Sequence, residues 1–365
     1  MVNLQQIKAW YRLVDTKCIG IALAHRLVND LGDPQNFIGQ KSGIRDKINY
    51  LPPDIMIKME QDTDPPMWNR IVSYIESTPD FIFITLLDPC YPPQLREIFH
   101  APLFLTANGD LSLLKVSDIV GIVGTRKPTQ YGKYITEKIV TSLVANSFIV
   151  CSGLALGIDS VAHKTTLELK GKTIAVMAGG LDFIYPQQNK DLADRIKQHG
   201  LVISESMPCI PFEKYHFPQR NRIISGLSRA VCIVEGKIQS GAMITGKYAL
   251  EQNREVYALP GDITKPEAEG PNFLISQGAK PICTPDEITK DLCIEYEAKS
   301  KEPKLILTPE EEKIIILLKE KGSPTHIDEL IEKTGANMGE ISSLLFMLEI
   351  KNAVRTAENG KYVAY

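Results

Sequence analysis

Basic and aromatic side chains lie close together between positions 212 and 222, where the sequence is FEKYHFPQRNR. Cations bind phosphates, and aromatic rings stack on unpaired bases with a gain of about 1–3 kcal/mol per base. The combination is typical of proteins that hold a single strand of nucleic acid. The alternative is that one ring packs in the core and the arginines pair with acids such as Glu205 or Glu235. The candidate contacts are Lys214, Phe217, Arg220, Asn221 and Arg222.

Four glycine-rich turns follow predicted strands, at 121–126, 152–159, 178–180 and 235–241. A turn that leads into a helix exposes backbone N–H groups and the positive end of the helix dipole, and both suit an anion. Glycine is also needed where a strand and a helix pack closely, so a single turn is weak evidence. Four such turns favour a groove shaped for close approach of a ligand to the backbone. The candidate contacts here are Gly124, Thr125, Arg126, Ser152, Gly153, Ser240 and Gly241.

The glycine motifs of nucleotide-using enzymes are absent from the sequence. The first turn lacks the Gly-x-Gly-x-x-Gly spacing of dinucleotide-binding proteins, and no glycine-rich loop ends in Gly-Lys-Ser or Gly-Lys-Thr. A hydride-transfer enzyme and an ATPase are therefore disfavoured. His163 has no paired nucleophile nearby and is interpreted as structural, while Asp159 is interpreted as a helix N-cap. We expect no catalytic residue, no cofactor and no metal.

The composition is that of a soluble globular protein. Of the 365 residues, 44% are hydrophobic and 23% are charged, and the net charge is −3. Because the chain is acidic overall, DNA binding requires a local basic groove. No signal-peptide pattern and no membrane-spanning apolar run is visible, and the seven cysteines are scattered singly. These features predict a cytoplasmic protein with reduced thiols and no membrane partner.

Apolar β-rich runs alternate with helical stretches between about 81 and 283. The runs lie at 119–123, 148–151, 173–177, 201–203, 230–234 and 256–258. Strands that are apolar on every residue are buried on both faces, and strand–helix alternation implies a parallel sheet. The pattern predicts a Rossmann-like, doubly wound, mostly parallel α/β domain over residues 80–290.

The flanking segments predict smaller domains. Residues 1–75 show helical spacing, and the stretch 18–24 is typical of a helix–hairpin–helix turn, so we expect a helical domain of that kind or of the SAM kind. Residues 291–304 are charged and weakly patterned, which indicates a linker. Beyond it, Thr308 to Glu311 combine an N-cap, a proline and a capping-box glutamate. With a hairpin turn at Asn359-Gly360, residues 305–365 are predicted to form a winged-helix domain.

The recognition helix predicted for this last domain spans 338–350. It carries Glu340 and Glu349 and no lysine or arginine. Winged helices commonly bind duplex DNA in the major groove, but carboxylates repel phosphate. We therefore expect this domain to contact protein or to regulate.

Several motifs of the central region occur in a fixed order. They are IVGTR at 122–126 with YG at 131–132, SGLA at 152–155 with GID at 157–159, GGLD at 179–182 with YP at 185–186, FP at 217–218 with RNRII at 220–224, SG at 240–241 and LPG at 259–261. Over roughly residues 80–285 the chain resembles the DprA/Smf family, the DNA-processing proteins of bacterial transformation.

This resemblance implies a single-stranded-DNA-binding protein that is not an enzyme and that forms a homodimer through the Rossmann-like domain. It also implies protection of incoming DNA and loading of the RecA recombinase during natural transformation and recombination. By position, Arg126 matches a DNA-contacting arginine of the family. Lys214 and Phe217 match a lysine and a base-stacking phenylalanine, and Arg220 and Arg222 lie in the neighbouring basic helix.

Two other interpretations stay open. A lysine-decarboxylase-like phosphoribohydrolase shares the Rossmann-type core and cleaves nucleoside monophosphates. It needs a Pro-Gly-Gly-x-Gly-Thr-x-x-Glu loop, of which the chain has only Glu235-Gly236 and Ser240-Gly241. The other is a scaffold for a partner that is not DNA, because Leu156 stands where the family usually has an arginine and removes a cation from the groove.

Overall fold

The structure of the chain is a computed structural model, and it describes residues 3–15, 19–39, 48, 50–61, 63–300, 308–321, 324–351, 353–357 and 361–364. The chain divides into two compact units, Met1–Lys290 and Asp291–Tyr365. Across the described ranges, no helix combines the length and the apolar character that a membrane span requires.

Helices make up the start of the first unit, as predicted. They are α1 (Leu4–Asp15), α2 (Ile21–Leu31), α3 (Pro53–Glu60) and α4 (Trp68–Ser77). In α1 the apolar residues Ile7, Trp10 and Leu13 recur at helical spacing, and all three are buried. The turn predicted at 18–24 begins at Cys18, which lies outside the described residues, and Gly20 is the N-cap of α2.

A sheet of nine strands forms the centre of the first unit among the described residues. The strands are β1 (Ile82–Thr85), β2 (Phe104–Gly109), β3 (Ile119–Val123), β4 (Ile149–Ser152), β5 (Thr173–Met177), β6 (Leu201–Ser204), β7 (Ala230–Ile233), β8 (Glu255–Ala258) and β9 (Lys280–Pro281). The accompanying helices are α5 (Pro93–Arg96), α6 (Gln130–Ala145), α7 (Ile158–Glu168), α8 (Lys190–His199), α9 (His216–Leu227), α10 (Gly241–Glu251) and α11 (Glu269–Ser276). Helix α12 (Glu287–Ser300) begins in the first unit and continues into the second.

The strand order is β1-β2-β6-β5-β4-β3-β7-β8-β9. Neighbouring strands from β6 through β9 are parallel, and β1 and β2 add an antiparallel edge. Every residue of β3, β4, β5, β6 and β7 is buried, as expected for strands covered on both faces. The predicted Rossmann-like, mostly parallel sheet is confirmed.

The chain winds away from β3 in two directions, first to β4 and later to β7. Doubly wound sheets bind ligands beyond the carboxyl ends of the strands at such a switch point. A ligand site is therefore expected at the carboxyl ends of β3 and β7.

The second unit contains α13 (Pro309–Lys321), β10 (Thr325–His326), α14 (Ile327–Thr334), α15 (Met338–Ile350), β11 (Val354–Ala357) and β12 (Lys361–Ala364). Strand β12 pairs with both β10 and β11. The helices enclose a core of their own that includes Ile314, Leu330, Leu345 and Leu348. Three helices with a β wing confirm the winged-helix prediction.

Local signals at the two ends of this unit have different outcomes. The capping box at Thr308 is present, because its N–H donates to Glu311 at 2.7 Å and its hydroxyl accepts the N–H of Glu311 at 3.3 Å. The turn predicted at Asn359-Gly360 lies outside the described residues.

Helix α12 continues to Ser300, so part of the segment predicted as a linker is helical.

Candidate nucleic-acid interface

A groove of about 750 Å³ opens at the switch point between β3 and β7. Its lining comes from the loop after β3, from α9, and from the loop and first turn around the start of α10. The charged lining residues are the cations Arg126, Lys127, Arg220 and Lys237 and the acids Asp159 and Glu267. The groove is therefore basic, although the whole chain has a net charge of −3.

Arg126 lies on a loop that is held on both sides. Before it, the carbonyl of Thr125 accepts the first N–H of α7 at 3.2 Å. After it, the backbone N–H of Thr129 donates to the carboxylate of Glu235 at 2.9 Å. Arg126 itself is exposed, and its guanidinium carbon lies 5.6 Å from the centroid of the Phe217 ring. The loop thus presents a solvent-facing cation beside an aromatic ring.

A smaller cavity with aromatic walls adjoins the groove. The rings of Tyr185, Phe212 and Phe217 contact one another, with centroid separations of 4.9, 5.6 and 5.3 Å. Arg126 and Phe217 line both the cavity and the groove. Leu156 also lines the cavity and is 39% exposed. The position at which the family resemblance implies an arginine therefore opens to the same space.

Arg220 is buried behind the groove. Its guanidinium donates to the carbonyl of Gly153 at 2.6 Å and to that of Val176, and its Nε donates to Asn221 Oδ1 at 3.0 Å. Asn221 in turn donates to the carbonyl of the first residue of α10. Burial lowers the pKa of Arg220 to about 10, although the nearby Asp159 opposes this change. The side chain stays charged at neutral pH and ties the ends of β4 and β5 to α9.

The prediction that Asp159 is a helix N-cap is wrong, since the N-cap of α7 is Gly157. Asp159 lies in the first turn of the helix, where its carboxylate accepts the backbone N–H groups of Gly153 at 3.1 Å and Ala155 at 3.4 Å. Burial raises the pKa of this carboxyl group. The residue fixes the turn after β4.

Packing within the chain is enough to require glycine at two positions of the predicted groove. A Cβ on Gly124 would lie 2.5 Å from Ile158, and a Cβ on Gly153 would lie 2.6 Å from the guanidinium of Arg220. A Cβ on Gly241 would meet nothing within 4 Å. Of these three glycines, only Gly241 fits the interpretation that glycine gives a ligand close access to the backbone.

The anion site predicted at the start of the helix after β3 is taken by the chain itself. That helix, α6, has Thr129 as its N-cap, and the Thr129 hydroxyl accepts the N–H of Gly132 at 3.0 Å. The carboxylate of Glu235 accepts both the backbone N–H and the hydroxyl of Thr129. Because an internal carboxylate lies at this helix terminus, a bound anion must meet side-chain cations there.

Three of the predicted contacts line neither the groove nor the adjoining cavity. Ser152 is fully buried, and its hydroxyl donates to the carbonyl of Ile122 at 2.6 Å. Arg222 is buried and forms an ion pair with Glu205, which is the structural alternative weighed from the sequence. Lys214 is exposed on the loop before α9 and lines neither the groove nor the aromatic cavity.

The other predicted contacts are brought together. The groove is lined by Gly124, Thr125, Arg126, Phe217, Arg220, Asn221, Ser240 and Gly241. Gly153 lines the adjoining cavity.

Four further side chains belong to the same surface and were not predicted. Lys127 and Lys237 line the groove, and Tyr185 and Phe212 line the cavity. The two lysines each follow a strand end by a few residues, so their position in the glycine turns was a usable signal. Tyr185 is far from Phe217 in sequence, and no spacing rule relates the two rings.

His163 is a core residue that lies outside the groove lining. His163 is fully buried, its Nδ1 lies 2.7 Å from the hydroxyl of Thr173, and burial lowers its pKa to about 3. A neutral, enclosed imidazole fits the structural role inferred from the sequence. Within the described ranges, no three His, Cys, Asp or Glu side chains cluster in a way that could hold a metal ion.

The fold and the site define a Rossmann-like protein with a basic, ring-lined groove at its switch point and a separate winged helix. A model of the family described as DNA recombination-mediator protein A matches residues 82–293, and a model of the DprA winged helix domain matches residues 298–360. The chain belongs to the DNA recombination-mediator protein A family, and the resemblance to DprA/Smf proteins is thereby confirmed.

Relatives and solved structures agree with this assignment. The DNA processing protein DprA of Bacillus subtilis is 46% identical over 202 residues, which cover 55% of this chain and 68% of the relative. The X-ray structure of DNA processing protein A from Streptococcus pneumoniae superposes with a TM-score of 0.66 at 32% identity, covering 79% of this chain and 98% of that one. A structure of DNA processing protein A from Helicobacter pylori, described for its single-stranded DNA binding mode, gives a TM-score of 0.53 at 30% identity and covers 59% and 96% of the two chains.

Proposed function

We propose that the chain is a DNA-processing protein that binds single-stranded DNA in the groove between β3 and β7. The observation that carries this proposal is the contact between Arg126 and Phe217, because it joins a phosphate-binding cation to a stacking ring on one surface. Single-strand-binding sites combine these two elements.

The lining suggests how a strand lies in the site. The phosphates follow Arg126, Lys127 and Lys237 along the groove, and a base stacks on Phe217 at the mouth of the aromatic cavity. Every base has a π-face, so stacking tolerates any sequence. The expected binding is therefore strong for unpaired DNA and nearly independent of base sequence.

The relatives support the same conclusion. The H. pylori protein binds single-stranded DNA, and this chain covers 96% of that structure at 30% identity. The proteins of B. subtilis and S. pneumoniae are DNA processing proteins. We extend both properties to this chain.

The family resemblance adds finer expectations, namely a binding protein without catalytic activity, a homodimer, a cytoplasmic location, and loading of RecA onto the bound strand. The assignment of domains at 1–75, 80–290 and 305–365 belongs with them. Light scattering that gives the mass of a single chain would contradict the dimer. RecA filaments that assemble equally fast on bare and on protein-coated strands would contradict the loading role.

The winged helix is proposed to contact protein and not duplex DNA. Its helix α15 exposes Met338, Phe346 and Met347 and carries Glu340 in its first turn. Exposed apolar side chains next to acid suit a protein surface better than a phosphate backbone. Tight binding of a duplex by a 305–365 fragment, which contains the core residues described for this unit, would contradict the proposal.

Binding of a labelled homopolymer strand and of a duplex, each over a series of salt concentrations, tests the main proposal. The expected result is a clear preference for the single strand and an affinity that falls by about 0.7 logarithmic units per phosphate contact for each tenfold rise in salt. Equal binding of strand and duplex, or an affinity insensitive to salt, would overturn it.

A second measurement distinguishes the proposed DNA-binding function from the alternative hypothesis of a phosphoribohydrolase. Incubation with nucleoside monophosphates is expected to release no free base. Release of base at a rate proportional to protein concentration would favour the enzyme, and loss of that release in Arg126→Ala would place it in the same groove.

A further inference from the structure

Glu235 is a buried acid at the end of β7, with only 6% of its surface exposed. Both of its carboxylate oxygens accept hydrogen bonds from Thr129, one from the backbone N–H at 2.9 Å and the other from the hydroxyl. A Cβ on Gly132 would lie 2.5 Å from this carboxylate. The first turn of α6 therefore packs directly on the acid, and only glycine permits that approach.

Thr129, which donates both hydrogen bonds to Glu235, is the last residue of the loop that carries Arg126. The start of the loop is fixed by Gly124, whose Cβ position is filled by Ile158, and by the carbonyl of Thr125, which accepts the first N–H of α7. Its other end, Thr129, is fixed by Glu235. Arg126 and Lys127 lie between these two anchors and are themselves exposed.

We propose that Glu235 is a positioning residue for DNA binding, which acts by holding the 124–129 loop so that Arg126 lies over Phe217 and faces the groove. This inference rests on the proposed function. Glu235 itself lines neither the groove nor the aromatic cavity, so its effect on the strand passes through the loop.

Charge and position make opposite predictions for this residue. A carboxylate near a phosphate-binding groove repels DNA, so a purely electrostatic effect means that neutralising Glu235 strengthens binding. A positioning effect means that the same change weakens binding, because Thr129 loses an acceptor and the loop loses an anchor. The sign of the effect therefore distinguishes the two.

Glu235→Gln in the full chain is the test, since the amide keeps the shape but replaces one acceptor by a donor facing Thr129. Glu267→Gln is the matched control, because it removes a carboxylate from the groove lining itself. Four proteins are compared with wild type, using the same labelled strand over the same salt series. They are Glu235→Gln, Glu267→Gln, Arg126→Ala and the double variant Arg126→Ala/Glu235→Gln.

The expected result for Glu235→Gln is an affinity about three- to tenfold lower than wild type, as for loss of one buried hydrogen bond. Its salt dependence should move toward that of Arg126→Ala. The double variant should bind no more weakly than Arg126→Ala alone, because both changes remove the same contact. Glu267→Gln should bind slightly more tightly.

Other outcomes overturn the inference. Tighter or unchanged binding by Glu235→Gln would show that the acid acts as a charge or not at all, and additive losses in the double variant would show that it does not act through Arg126. Failure of the wild-type chain to bind any strand would instead remove the proposed function, and this inference with it.

A second variant covers the case in which Glu235→Gln does not fold. Thr129→Val removes the hydroxyl, which donates to Glu235 and also accepts the N–H of Gly132 as the N-cap of α6, and it keeps the backbone bond to Glu235. It should lower affinity in the same direction by a smaller factor, and its thermal unfolding midpoint should fall by only a few degrees, as for loss of one helix N-cap. Wild-type affinity in a folded Thr129→Val protein would also count against the proposal.

Discussion

The guanidinium of Arg126 lies over the ring of Phe217, with its central carbon 5.6 Å from the ring centroid. The two residues come from different elements, the loop after β3 and the first turn of α9. A cation over a ring face gains about 0.5–1 kcal/mol at an exposed site. The contact therefore orders a phosphate-binding group and a stacking group before DNA arrives, which lowers the entropic cost of binding.

Arg126→Ala is expected to weaken single-strand binding by about 1.5–3 kcal/mol, the range for hydrogen bonds to charged groups. The slope of log affinity against log salt should fall by about 0.7, because one phosphate contact is lost. Arg126→Lys is the matched control, since it keeps the charge and loses the planar fork. Its slope should stay near wild type while its affinity falls. An unchanged slope in Arg126→Ala would remove this residue from the phosphate path.

Phe217→Ala is expected to cost about 1–3 kcal/mol of binding free energy, the range for one stacked base. The salt slope should stay close to wild type, because no phosphate contact is lost. Phe99→Ala is the control for removal of a ring outside the site, since Phe99 is 83% exposed on another surface loop. It should bind normally. A steep change in slope with Phe217→Ala would indicate that the ring acts by holding Arg126 alone.

Much of the fold was predictable because it follows from short-range patterns. The all-apolar strand Ile119–Val123 and the helix after it have lengths and compositions that allow few alternatives. The N-cap signal at Thr308 also acts within four residues. What the pattern did not contain is strand order. The groove exists because β3 and β7 are neighbours in the sheet. Their paired residues, such as Val123 and Ile233, are more than 100 positions apart in the sequence.

The site was predictable where a side chain is exposed on its own turn, as with Arg126. It was not predictable where burial decides. Arg220 and Arg222 are two residues apart on α9, yet one reaches Gly153 beside the groove and the other pairs with Glu205. The role of the glycine turns was ambiguous for a similar reason. A sequence does not show whether the missing Cβ of a glycine faces a ligand or, as at Gly124, a helix.

Leu156→Arg is expected to strengthen single-strand binding and to raise the salt slope by about 0.7, the value for one added phosphate contact. Leu156 lines the aromatic cavity and is 39% exposed, so an arginine there reaches the strand without displacing core residues. Leu156→Gln, which is polar but uncharged, is the control and should not change the slope. Unchanged affinity in Leu156→Arg would show that the strand does not pass this side of the cavity.

A buried histidine gives the fold a pH dependence of its own. The Thr173 hydroxyl donates to the carbonyl of Val150 at 2.7 Å, so it must accept from His163 Nδ1, which lies 2.7 Å away. The proton is therefore on Nδ1, and Nε2 is buried with no hydrogen-bond partner among the residues that the structure describes. Protonation would place a cation in the core near the cationic Arg220, and burial accordingly lowers the pKa of His163 to about 3.

This histidine should destabilise the fold in mild acid. Its pKa is about 3 when folded against the ordinary value of 6.5, so between those values the unfolded chain binds more protons than the folded one. The free energy of unfolding should then fall as pH drops below about 6.5, by up to about 1.4 kcal/mol per pH unit from this group. Urea unfolding of the wild type and of His163→Gln between pH 7.5 and 5, at intervals of about half a unit, isolates the contribution as the difference between the two slopes. His199→Gln, at the exposed end of α8, is the control and should keep the wild-type slope. Identical slopes for the wild type and His163→Gln would mean that the imidazole is protonated equally in both states.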